Sequence, residues 1–113
     1  MAELRRLIGP YELLDLPDHG RVELRITSWE RGSLISQPRY AGAPAEKEIG
    51  ALRVHLAPGV KPYPPMYYDI TSKTLIAQML PVLMEPGYVD QVFVITAYGV
   101  APRKRFTLEL RPV

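Results

Sequence analysis

The 113-residue chain contains no cysteine, which excludes disulfides, thiolate metal sites, iron–sulfur clusters and cysteine nucleophiles. Its only histidines, His19 and His55, lie far apart, so a histidine-rich metal centre is not expected. The Gly-rich phosphate loop, the His-Glu-x-x-His pair and the Gly-x-Ser-x-Gly elbow are all missing. No carboxylate–histidine spacing suggests acid–base chemistry. No apolar run approaches the ~20 residues that span a bilayer. The first residues, Met1–Ile8, do not resemble a secretory signal. These absences lead us to expect a non-catalytic cytoplasmic protein without metal, cofactor or membrane contact.

What is present fits one domain over 1–113. With 47% hydrophobic and 23% charged residues, the chain has material for a core. Twelve prolines disfavour long helices, and seven tyrosines need partners for their hydroxyls. Net charge is only +2, yet ten of the fourteen basic residues are arginine. Arginine offers a planar fork that fits phosphate and carboxylate and stacks on flat rings. The distribution of these arginines therefore matters more than their sum.

Residues 1–19 read as a lead-in ending in the turn Pro17-Asp18-His19-Gly20, where glycine is expected to take the positive φ. Arg21–Trp29 alternates strictly: Val22, Leu24 and Ile26 point one way, and Arg21, Glu23, Arg25, Thr27 and Trp29 the other. Residues 30–48 carry glycines and prolines and read as a long loop, with a short strand possible at Leu34–Gln37. A second alternating strand has Leu52, Val54 and Leu56 inside with Arg53 and His55 outside. A Pro-rich connector follows, then a third strand over Met66–Ile70. Thr71 or Ser72 caps a helix whose stripe is Leu75, Ile76, Met79, Leu80 and Leu83. Pro81 is expected to kink or end it. Asp90–Ala97 and Arg105–Arg111 form the last two strands, joined by a hairpin over 98–104.

This order, with one helix between the third and fourth of five strands, predicts a mostly β fold and resembles an OB-fold: a five-stranded, partly open barrel. The Leu16-Pro17-x-x-Gly20 turn and the closing Gly99-x-x-Pro102-Arg103-x-Arg105-Phe106 hairpin are similar to those of small single-stranded DNA-binding proteins of phages and mobile elements. The resemblance implies non-catalytic binding of single-stranded DNA, or RNA, in a basic, aromatic-lined groove. Two departures stand against it. The 33–48 segment is longer than a tight hairpin needs, and no acidic tail follows, which puts recruitment of replication partners in doubt.

Arg103-Lys104-Arg105 is the longest basic run, flanked by Tyr98 and Phe106, and Trp29 and Arg31 form a second aromatic–basic pair. The stacking candidates are accordingly Trp29, Tyr67, Tyr98 and Phe106. The phosphate candidates are Arg25, Arg31, Arg53, Arg103, Lys104 and Arg105. A competing interpretation pairs the strand arginines with Glu23 and Glu109 as ordinary cross-strand ion pairs, and uses one of Tyr67 and Tyr68, together with Phe106, as core. Asp69 reads as a cap or turn residue rather than a base, and His19 as an exposed turn residue. His55 fits either a surface contact or plain solvation. The alternative function is a structural or interaction module of a larger assembly, possibly viral, with a homo-oligomer or a replication or assembly protein as partner.

Overall fold

The strict alternation from Arg21 onward opens the longest strand of the molecule, because residues that alternate in polarity satisfy a sheet with one dry face. The computed structural model describes residues 5–36, 47–100 and 103–113. Its elements are β1 (Arg5–Arg6), β2 (Arg21–Ser36), β3 (Lys47–Leu56), β4 (Tyr67–Ile70), α1 (Lys73–Leu83), a 3-10 turn (Pro86–Asp90), β5 (Gln91–Tyr98) and β6 (Arg105–Pro112). The strands lie in the order β4-β3-β2-β5-β6, all antiparallel, with β1 added in parallel beside β2. The protein is thus mostly β with one helix, and the sheet is open: β4 and β6 lie at its two ends. No described helix is long and apolar enough to cross a membrane.

β2 serves both halves of the sheet. Arg21–Arg25 pair with β5, and Ile26–Ser36 with β3. Between Ile26 and Ser28 the register with β3 shifts, a bulge at Thr27. One extra residue in a strand reverses which side chains face the core. Leu24 and Ile26 are buried ahead of the bulge. Beyond it, Trp29 and Arg31 stand opposite the core residues Val54 and Leu52. The strand also continues to Ser36 instead of giving way to a loop at Glu30. The expected 30–48 loop is correspondingly reduced to 37–46, outside the described residues.

The main core joins Leu24, Ile26, Leu52, Val54, Leu56 and Ile70 to Phe93 and Ile95, under Leu75, Ile76, Met79 and Leu83 of α1. Ser72 caps the helix, its hydroxyl accepting from the Leu75 N–H at 3.3 Å. Pro81 does not end it. Pro81 sits exposed in the last turn, and the helix runs on to Leu83, with the Met84 N–H closing on the Leu80 carbonyl at 3.0 Å.

The lead-in is a strap laid across the other side of the sheet. The Leu7 N–H bonds the Ser33 carbonyl at 2.8 Å, and Leu7, Leu34 and Ala51 make a second small core there. Further along, Asp69 exchanges backbone hydrogen bonds with Glu12 (2.7 Å) and Leu14 (3.1 Å), so the strap occupies the free edge of β4. Gly32 permits the approach, since a β-carbon there would overlap the Arg5 carbonyl and the Leu7 side chain. In the turn that follows, His19, not Gly20, has the positive φ, of 64°. Gly20 is needed for closeness, because a β-carbon on it would lie 2.6 Å from Pro17 Cδ.

Candidate nucleic-acid interface

Residues opposite one another in antiparallel strands point to the same side. The pairings of β2, β5 and β6 therefore set up three rows on the outer face: Arg21, Thr96 and Thr107; Glu23, Val94 and Glu109; Arg25, Val92 and Arg111. Tyr98 and Arg105 make a fourth row at the hairpin end. Arg103 joins them, lining a shallow hollow with Tyr98, Gly99, Arg105 and Thr107. All five arginines are exposed, against two glutamates. Glu23 takes hydrogen bonds from Arg21 (3.2 Å) and from Arg111. Among the described residues, no carboxylate lies within ion-pairing reach of Arg25, Arg103 or Arg105. Tyr98 is 42% exposed and meets the His19 ring edge-on at 5.4 Å. The hairpin is held in place from the strap side, where the Asp18 carboxylate accepts from the Gly99 N–H at 2.7 Å.

Arg53 and Tyr67, expected to project outward, are instead gathered under the strap. Arg53 is 5% exposed. Its Nε and a terminal nitrogen reach the two Asp69 oxygens at 2.6 and 3.1 Å, and its other terminal nitrogen donates to the Ile8 carbonyl at 2.7 Å. The Tyr67 ring lies 4.1 Å from the guanidinium carbon, and its hydroxyl donates to the Pro10 carbonyl at 2.5 Å. The hydrogen bonds to Asp69 hold the guanidinium in its charged form, raising its pKa. Asp69 also accepts from the Glu12 N–H at 3.0 Å, which makes it the junction of β3, β4 and the strap. Alternation correctly put Arg53 opposite Leu52 and Val54, but gave no sign that this second face is covered.

The same face carries His55, which bonds Glu30 at 2.9 Å; that hydrogen bond lowers the Glu30 pKa. Buried Lys61 reaches Glu12 (3.1 Å) and the Pro65 carbonyl (2.8 Å) beneath Tyr63 and Tyr68. Burial raises the Tyr68 phenol pKa. Neither Lys61 nor Glu12 is marked by any local pattern, since their meeting depends on a strap that crosses the fold.

The remaining candidates serve the fold as well. Trp29 is half-buried against the core and donates its indole N–H to the Leu83 carbonyl at 3.1 Å. Arg31 donates to the Ala51 carbonyl at 2.8 Å and borders Ile76 and Leu80 of α1. Lys104 pins the strap through the Leu16 carbonyl (2.6 Å) and Asp15 (3.2 Å). Phe106 packs on the core and borders a cleft between the strap and the start of α1. Of the sequence candidates, Tyr98, Arg103 and Arg105 come together, with Arg25 farther along the same face. Arg21, Arg111 and His19 join them unexpectedly. No family model, curated protein or solved structure matches the chain.

Proposed function

We propose that the protein is a non-catalytic, OB-fold-like module that binds single-stranded nucleic acid, DNA in the first instance, on the outer face of β2, β5 and β6. The observation that carries this reading is the grouping of Arg25, Arg103 and Arg105, none with a carboxylate partner among the described residues, on a face that ends in Tyr98. The strand order and the long bulged β2 support the OB-like assignment. In that fold the hairpin between the last two strands flanks the ligand, which agrees with Arg103 and Arg105 as its first contacts. The face of β3 and β4 is covered by the strap, so the ligand lies on the opposite half of the sheet. From Val92 to Tyr98 the stripe runs about 20 Å, at ~3.3 Å per strand residue.

Fluorescence anisotropy of a labelled single-stranded oligonucleotide tests this directly. Binding should weaken with salt at a log–log slope of about −2, for three phosphate contacts at ~0.7 each. Tyr98→Ala should cost about 1–3 kcal/mol if a base stacks there. A salt-independent affinity, or none at low salt, would refute the proposal. The second reading, an interaction module, has one observation in its favour: the outer edge of β6 has no strand beside it.

A further inference from the structure

We infer that β6 is a self-association edge, and that two copies of this chain pair antiparallel along it with Leu110 opposite Leu110. The inference is independent of what the arginine face binds.

β6 ends the sheet, and its backbone polarity is fixed by its neighbours. The Val113 N–H turns inward to the Asp90 carbonyl at 3.0 Å, while the Phe106 carbonyl faces away from β5 and accepts from Gln78 of α1 at 3.0 Å. In an antiparallel strand, alternate residues direct both backbone groups to the same edge. Leu108 and Leu110 therefore present their N–H and C=O groups outward, as does the Pro112 carbonyl. Such an edge is a template for another strand.

Charge selects the register. Centring the pair on Leu108 sets Arg105 against Arg111 and displaces Gln78. Centring it on Glu109 or Arg111 opposes like charges directly. A pair centred on Thr107 also competes with Gln78 for the Phe106 carbonyl. With Leu110 at the centre, Glu109 of each copy faces Arg111 of the other, and Thr107 faces Val113. Leu108 donates to the Pro112 carbonyl across the seam, so the N–H that Pro112 lacks leaves no orphan donor. The two leucines meet at their exposed sides; Leu110 is 42% and Val113 64% exposed. Glu109, which has no ion-pair partner among the described residues, acquires one. The two sheets then run on as β2-β5-β6-β6-β5-β2, and the two arginine faces become one.

Sedimentation equilibrium of the full chain, without nucleic acid, reads the result. A seam of one strand pair is small, so concentrations up to about 1 mM should be covered. The expected mass at the high end is twice the chain's 12.8 kDa. Glu109→Arg should return it to the single mass, and adding Arg111→Glu to that variant should restore the doubled mass, because the charges again face their opposites. Because the chain has no cysteine, Leu110→Cys gives a second readout. The paired α-carbons would lie about 5.5 Å apart, within disulfide reach, so mild oxidation should yield a covalent dimer, whereas Leu108→Cys should not. A single mass throughout, with no cross-link from Leu110→Cys, would overturn the inference. So would a dimer indifferent to the Glu109 reversal.

Discussion

Arg53 and Arg105 occupy equivalent positions in their strands, each an outward residue in a period-2 pattern, yet they have opposite fates. Arg105 stands in solvent beside Tyr98, whereas Arg53 is buried in a bidentate pair with Asp69 beneath a strap that crosses β3 and β4. Both carry the same charge. The difference is set by what crosses the sheet on each side: residues 5–16 cover one half and leave the other half open. An arginine that is hydrogen-bonded on all sides organises the fold, and one without a partner is available to a ligand.

The sharpest way to break this contrast is to remove the carboxylate from the covered side. Asp69→Ala would leave Arg53 buried and unpaired, and should cost about 3–5 kcal/mol in urea unfolding. Arg25→Ala on the open side should stay within about 0.5 kcal/mol of the parent. Equal losses would mean that the two faces do not differ in kind.

Gly32→Ala is a milder intervention, on the strap alone. A methyl group there overlaps the Arg5 carbonyl and Leu7, so the strap must shift, at about 1–3 kcal/mol. Hydrogen exchange at the Leu7 amide should accelerate while the amides of β5 keep their protection. Unchanged exchange at Leu7 would show that the strap is not held by this close approach.

The smallest effect expected is at Glu30. Its pKa is lowered in the folded protein by the hydrogen bond to His55. The unfolded chain therefore binds the proton more readily, and stability falls as the pH drops. The contribution is complete above the ordinary value of 4.5 and is lost as pH falls through the lowered folded value. Glu30→Gln should flatten the acid limb of the stability profile and leave it unchanged at neutral pH. A steeper acid limb in that variant would reverse the assignment.

Much of the fold is legible in the residues themselves. The alternation of Val22, Leu24 and Ile26, and of Leu52, Val54 and Leu56, marks the side that faces the core. Ser72 with Leu75, Ile76, Met79 and Leu83 marks the helix and its inner stripe. The strap is not legible, because it is held by single backbone hydrogen bonds to Ser33 and Asp69, and such bonds leave no periodic trace. Trp29 and Arg31 were misplaced for a related reason: one bulged residue at Thr27 reverses the parity of everything after it. Within the candidate site, Arg103 and Arg105 stand out as a basic run. Arg21 and Arg111 join them only through pairing across three strands.

The most direct test sets the two faces against each other in one binding assay. Arg103→Gln with Arg105→Gln should unfold like the parent and reduce the salt slope for a single-stranded oligonucleotide by about 1.4, two contacts at ~0.7 each. Arg53→Met with Asp69→Leu replaces the buried pair with apolar groups of similar size and should leave binding intact in the folded protein. Retained affinity and slope in the first variant, or their loss in the second while it remains folded, would contradict the account.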